Sequence, residues 1–377
     1  MKKRLLVQDF IEQHLNDWEK LLTEKPYSLI ITHDRIYDKN LVMFKYSQVD
    51  SDMSIKLVQE CRGLILDEDT KEIVSYPFNK FFNFGEPNAA KIDWTSARIG
   101  QKIDGSLIKI VKINGKLLIS TNGTIDAKNA PVAEQINCPF KTFEDIVIYV
   151  FRYKDVDYMN FEEGFTYMFE LVSPWTRVVV PFKNTDMYFL GKRDNTTFEE
   201  TYFTDDEVMS RLFDTPDVFS LKSIDECLAA TKEMPWDEEG YVVCDKFFNR
   251  VKVKSPSYVA AHNLCNNHVM SYSRAVELVR SNEIEEICSY FEEFRPALEE
   301  CKTRFWKLVE DCESAWSEYL KVDASLKTRK DKAFWITKHT RIPGLFFGLL
   351  DKKISSVKDF FMNVPTEKIL KYLGYKE

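Results

Sequence analysis

Two repeating patterns divide this chain, and the change from one to the other constrains its fold more than any single motif. Between about residue 41 and residue 254, short apolar runs alternate with polar turns. Arg62 to Asp67, Glu72 to Tyr76, Phe165 to Val172, Arg177 to Phe182 and Met187 to Lys192 are such runs, each of strand length. Leu107 to Ile113 and Lys116 to Ser120 flank Asn114-Gly115, a dipeptide that accepts the two left-handed residues of a tight hairpin. Gly240 to Cys244 and Arg250 to Lys254 predict a last hairpin pair, and Thr142 to Tyr153 and Asp205 to Phe213 predict helices between strands. The first 35 or so residues read as helical through Leu5, Phe10, Ile11, Leu15, Trp18 and Leu22. After Pro256 the apolar period lengthens: Leu298, Cys301, Phe305, Leu308, Cys312 and Ala315 predict one long amphipathic helix from near Pro296 to Leu320. Thr366 is placed to cap a final helix. The expected fold class is α+β, with an antiparallel-sheet body over residues 1–255 and an all-helical domain over 256–377.

The chain is long enough, at 377 residues, for two or three domains with real cores. Only 12 Gly and 13 Pro argue against long disordered linkers. A net charge of −8 excludes a protein that coats nucleic acid by bulk charge, while leaving local basic patches open. The eight cysteines include no C-x-x-C pair and no zinc-finger spacing to histidine, so they read as reduced thiols. Asp9, Glu12 and Asp17 interrupt any apolar segment behind Met1-Lys2-Lys3-Arg4, so that start is not read as a signal peptide. No apolar run approaches membrane-spanning length, and a cytosolic protein is expected.

Cations and carboxylates recur at strand ends. Lys102-Ile103-Asp104-Gly105-Ser106 sets a lysine two residues from a carboxylate, just before the Leu107 strand. Alone, such a run usually means a polar turn. Arg62 and Lys80 bracket the first predicted hairpin, Glu170 interrupts an apolar strand, and Glu239 opens the last hairpin. Period two points Lys252 and Lys254 to one face of their strand. Each has an ordinary reading: Glu170 paired with Arg177, or Lys252 and Lys254 on a solvated sheet face. Together they suit the transfer of a nucleotidyl group. Phosphates need Arg and Lys, a divalent metal needs oxygen ligands, and a nucleophilic lysine needs neighbouring cations to lower its pKa.

In their order, Glu60-Cys61-Arg62-Gly63, Lys80-Phe81-Phe82-Asn83, Lys102-Ile103-Asp104-Gly105-Ser106, Phe169-Glu170, Glu239-Gly240-Tyr241-Val242 and Lys252-Val253-Lys254-Ser255 resemble the covalent nucleotidyltransferases. These are the ATP-dependent DNA and RNA ligases and the messenger-RNA capping enzymes, and the series is most similar to RNA ligases of the T-even bacteriophage type. The similarity covers roughly residues 40–260. It implies an ATP-grasp-like ligase body and a lysyl-AMP formed on Lys102 from ATP. By the same resemblance Tyr46, Arg62, Lys80, Glu170, Glu239, Lys252 and Lys254 would bind the nucleotide. Lys252, Lys254, Glu239 and Tyr258 would assist catalysis, and Mg²⁺ (or Mn²⁺) would be held by Glu239, with Glu285 a second candidate ligand. Asn122 departs from the family pattern, because relatives carry a basic residue there. The implied partner is RNA, in particular transfer RNA nicked in the anticodon loop, with a separate end-healing kinase-phosphatase, no membrane, and the chain acting as a monomer in the cytoplasm (of the host, if viral). The basic run Lys327, Arg329, Lys330, Lys332, Lys338 and Arg341 in the helical domain is the expected RNA contact. Alternatives are a DNA ligase, a capping guanylyltransferase, or a catalytically inactive RNA-binding relative; the first two would carry a strand-rich domain after Lys254.

Overall fold

In the computed structural model, residues 3–48, 50–133, 135, 137–264, 271–281, 284, 288 and 294–375 are described. They form two compact units, residues 1–263 and 264–377.

The first unit holds three sheets. Strands β1 (Leu29–Ile36), β2 (Lys39–Tyr46), β3 (Arg62–Asp67) and β4 (Ile73–Ser75) make an antiparallel meander in chain order. Two further strands, β5 (Phe82–Asn83) and β6 (Arg98–Gln101), belong to the third sheet. The second sheet is built from β7 (Ser106–Ile113), β8 (Lys116–Thr121), β9 (Phe165–Val172), β10 (Asp186–Asp194) and β11 (Glu200–Tyr202), ordered β11-β10-β9-β7-β8. The third adds β12 (Val218–Phe219), β13 (Gly240–Cys244) and β14 (Arg250–Lys254), ordered β12-β6-β13-β14-β5, with β5 parallel to β14.

Alternation explains how the layers pack. On β2, Val42, Phe44 and Tyr46 face the N-terminal helices, while Leu41 and Met43 face the second sheet. Leu64 and Leu66 of β3 repeat the first pattern and Ile65 the second. On β7, Ile108 and Ile110 join a core with the helix Phe143–Tyr153, while Val111 and Ile113 meet Leu41, Met43 and Ile65. Both faces of these strands are buried, so their sequences read as largely apolar runs, that of β7 interrupted by Lys109. Asn114 and Gly115 take φ of 51° and 74°, as the hairpin required. Thr142 caps Phe143–Tyr153 by accepting from the Asp145 N–H while the Asp145 carboxylate accepts from the Thr142 N–H.

Three expectations are corrected. The N-terminal helices end at Thr23, and Leu29 onward is strand β1. Pro26 interrupts helix continuation, and the β-branched run Ile30-Ile31-Thr32 favours a strand paired with β2. Arg177 to Phe182 forms no strand, because Asp104 rather than a neighbouring strand accepts from the Val179 and Val180 N–H groups. Thr366 is the first residue of its helix instead of its cap, a position held by Pro365.

The described part of the second unit contains helices and no strand. Its longest helix, Arg295–Val322, buries Leu298, Cys301, Phe305, Leu308 and Cys312, and the stripe continues to Tyr319 rather than Ala315. Phe305 meets Phe361 edge-on, and burying such a side chain contributes roughly 1.5–3 kcal/mol. No helix among the described residues is long and apolar enough to cross a membrane.

Candidate active site

Lys102 follows the last residue of β6 and precedes β7, and its backbone N–H donates to Gly240 O at 2.8 Å. That bond ties the lysine to the start of β13, where Glu239 waits. Lys102 Nζ lies 2.7 Å from Glu239 Oε2, and Lys254 Nζ lies 2.9 Å from Glu239 Oε1. One carboxylate therefore bridges two of the predicted lysines. Burial raises the Glu239 pKa, but Lys102 and Lys254 outweigh it and hold the group ionised below its usual range.

The expectation that neighbouring cations depress the Lys102 pKa is corrected. Burial does lower it, but Glu239, then Glu170 and Asp104, outweigh burial, and Lys102 titrates above the usual lysine value. Lys252 instead shows the predicted behaviour. Burial first, then Arg62, Lys102, Lys80 and Lys254, bring its ammonium down to about 7.

A cavity of about 270 Å³ opens beside Lys102, lined by Arg62, Phe81, Asn122, Glu170 and Lys252 among others. Gly100, Tyr202, Phe203 and Arg250 also line it. The parallel pairing of β5 with β14 aligns Phe82 with Val251, and Phe81 receives two cations: Arg62 at 5.2 Å and Lys252 at 4.9 Å from the ring centroid. Burial raises the Glu170 pKa to about 7 against the opposing pull of Lys102, and it forms no ion pair among the described residues. Arg177 Nε donates instead to Val179 O at 2.7 Å, so the Glu170–Arg177 pairing is not formed. Gly105 is required by close approach, because a Cβ there would lie 2.4 Å from Leu171 O and 3.0 Å from Glu170 Cγ.

Lys80 and Tyr46 do not line this cavity. Tyr46 is buried on β2, and its ring carries the Lys80 ammonium at 5.1 Å. Tyr258 is 1% exposed, on the helix Pro256–Leu264, and its hydroxyl donates to Asp104 Oδ1 at 2.7 Å. Asp104, the acid of the lysine motif, was not singled out as a site residue by sequence. Its Oδ2 also accepts from Val179 and Val180 N–H at 2.8 and 2.7 Å, so it anchors three segments around Lys102. Glu285 lies outside the described residues. Among those residues no cluster of three or more His, Cys, Asp or Glu could hold a metal. Glu239 fits a cation only as one oxygen ligand among phosphates, the manner in which Mg²⁺ is commonly held.

A family model described as RNA ligase matches residues 60–258, and the chain belongs to that T4-type RNA ligase family. Among curated relatives, a protein of Autographa californica nuclear polyhedrosis virus named as a bifunctional polynucleotide kinase/RNA ligase is 30% identical over 246 residues, 60% of this chain and 34% of its own. An RNA ligase of Rhodothermus phage RM378 is 28% identical over 232 residues, 52% of this chain and 50% of its own. A solved archaeal ATP-dependent RNA ligase aligns with TM-score 0.44 and 12% identity over 81% of this chain and 83% of its own. The chain thus spans about a third to a half of the length of these two curated relatives.

Proposed function

We propose that this chain is an ATP-dependent RNA ligase with an ATP-grasp-like nucleotidyltransferase body, working through a lysyl-AMP on Lys102. The observation that carries this reading is the Lys102–Glu239–Lys254 bridge beside a cation-lined cavity. Lys102, once it has lost its proton, attacks the α-phosphorus of ATP; a P–N bond forms as the bond to pyrophosphate breaks. Arg62 and Lys252 face the phosphates, with Lys80 and Lys254 adding charge from beside the cavity. Glu170 accepts from the ribose hydroxyls, and the base lies toward Tyr202 and Phe203. A 5′-phosphate oxygen of RNA then displaces Lys102 from the adenylate, and a 3′-hydroxyl displaces AMP to seal the strand. A divalent cation, Mg²⁺ or Mn²⁺, bound by Glu239 and phosphate oxygens, would supply neutralisation of developing phosphate charge.

Membership of the RNA ligase family and the all-helical character of the described second unit favour this reading over a DNA ligase or capping enzyme. We further infer that the substrate is transfer RNA broken in the anticodon loop, repaired in the cytoplasm after a separate kinase-phosphatase has healed the ends. The kinase named in the nuclear polyhedrosis virus relative supports that last coupling. Incubation with α-labelled ATP and a divalent metal, followed by denaturing electrophoresis, tests the central reading. Label on the wild type and none on Lys102→Ala is the expected result; an unlabelled wild type under every metal and nucleotide tried refutes it.

A further inference from the structure

Lys109 is 0% exposed, yet nothing in the reaction just described uses it. It sits on β7 with the parity of Val111 and Ile113, the residues that pack against the first sheet. A lysine there is out of place. Among the described residues its ammonium reaches no carboxylate; its hydrogen-bond acceptor is the Gly63 carbonyl.

The surroundings explain what such a cation could serve. On β8, Ser120 lies directly across from Lys109, and Asn122 follows in the bend just after the strand. A point where Gly63 would bear a Cβ lies 2.8 Å from Lys109 Nζ and 3.1 Å from Asn122 Oδ1, so lysine and amide flank one spot. Arg62 is the preceding residue, and Lys45, its β2 partner, reaches within 3.5 Å of the corresponding point on Gly123. Three polar atoms of this corner are buried without a partner among the described residues: Arg62 Nη1, Ser120 Oγ and Asn122 Oδ1. Native structures leave few such atoms, and each asks for a ligand or a function. Arg62 and Asn122 also line the cavity beside Lys102.

We propose that Lys109 is a positioning residue for phosphoryl binding, setting the charge and geometry of the Arg62–Asn122 corner from behind the cavity wall. The corner takes phosphate oxygens, whether of the nucleotide or of an RNA 5′ end, and the proposal rests on the ligase reading for those two substrates. Asn122 brings no charge of its own, so Lys109 and Arg62 supply the positive potential there. Burial and Arg62 bring the Lys109 ammonium down to about 7; Glu170 lies on the same sheet face two positions along β9, but no carboxylate among the described residues opposes the shift. An arriving phosphate provides that missing anion and favours the protonated form. A buried cation without an acid partner costs stability, which is the pattern expected of a group kept for a site.

Lys109→Met in the full chain separates the roles. The expected result is an unfolding temperature close to wild type, because relief of the buried charge offsets the donor lost by the Gly63 carbonyl. Phosphoryl binding then falls by about 10- to 100-fold, the range for a hydrogen bond to a charged group. Two arms distinguish the source. One is ATP affinity measured calorimetrically without divalent metal; the other is single-turnover transfer of AMP from isolated adenylated protein to 5′-phosphate RNA. A fall in the first alone assigns the nucleotide's phosphates, and a fall in the second alone assigns the RNA end; either supports the proposal. Lys109→Met combined with Asn122→Lys, which returns a charge to the corner, is expected to recover most of the loss. Both arms within twofold of wild type would overturn the proposal. So would a drop in stability and both arms that the added lysine fails to restore, leaving Lys109 a tie between strands. A wild type that never takes label sinks the ligase reading instead, and the ATP-affinity comparison still decides the part played by Lys109.

Discussion

Lys102 and Glu239 are held as an ion pair at 2.7 Å, with the carboxylate side chain 4% exposed. The proton of the proposed nucleophile is therefore stabilised by the same carboxylate proposed to take part in metal binding. Lys102 must be neutral to attack, so adenylation should rise with pH through its raised pKa. Glu239→Gln removes the charge that most strongly opposes the effect of burial, and the Lys102 pKa should fall. Single-turnover adenylation by Glu239→Gln is expected to have its rising limb shifted down by at least ~1 pH unit, with a lower plateau. An unmoved limb would show that Glu239 does not govern the lysine's proton.

Tyr258 donates to Asp104 Oδ1, and Asp104 also accepts from two backbone N–H groups of the Val179–Val180 segment. Tyr258→Phe leaves one buried carboxylate oxygen without its donor. The cost should be about 1–3 kcal/mol in urea unfolding, with adenylation reduced less than by Lys102→Ala. Stability unchanged within 0.5 kcal/mol, on the order of an ordinary surface substitution, would contradict this anchoring role.

Gly105→Ala would drive a methyl to 2.4 Å from Leu171 O, against the strand that carries Glu170. The strand must shift, so we expect a loss of about 1–3 kcal/mol, the cost of overpacking. A loss of labelling is also expected, because Glu170 moves with β9. Retained stability and retained labelling together would mean that the close approach is not required.

Much of this was legible in the sequence, and the misses have physical causes. The Asn114-Gly115 hairpin and the Thr142 capping box are local devices, decided by turn chemistry and a few neighbouring residues. Lys102, Glu239 and Lys254 could be singled out because strand-end charges in a fixed order are rarely accidental. Arg177 to Phe182 misled because its N–H groups bond to the distant Asp104, a tertiary choice that propensity cannot register. Lys109 carried a visible signal, a lone lysine within Leu107-Ile108-Lys109-Ile110-Val111, but only the packing of the two sheets shows that it is buried.

Glu60 gives a pH-dependent prediction away from the cavity. Its carboxylate accepts from the Val7 N–H at 3.4 Å, and burial, only partly opposed by backbone hydrogen bonds, raises its pKa to about 7. The folded chain then holds the proton more tightly than the unfolded chain, whose value is near 4.5. Stability from this group is fully present below the unfolded value and is lost as pH rises toward 7, by on the order of 1–3 kcal/mol. Glu60→Gln should be the more stable protein at pH 8, with a flatter stability profile between pH 5 and 8 in urea titrations. A wild-type profile already flat across that range would exclude the effect.

The basic run of the helical unit divides into two groups that RNA binding should tell apart. Arg329 makes a two-pronged pair with Asp351 at 3.0 Å, and Lys332 lies 2.7 Å from Asp323, so both are committed within the unit. Lys327, Lys330, Lys338 and Arg341 are exposed and form no ion pair among the described residues. If the last four bind phosphates, changing them together to Ala should weaken binding of a nicked anticodon stem-loop. The salt slope should then become shallower by roughly 0.7–0.9 for each phosphate no longer neutralised. Self-adenylation should be unaffected, since no RNA is involved in it. Changing Arg329 and Lys332 instead should leave the slope in place and lower stability by ~0–1 kcal/mol each, as for other pairs at or near the surface. Equal salt slopes for wild type and the fourfold variant would remove this surface from the RNA-binding site.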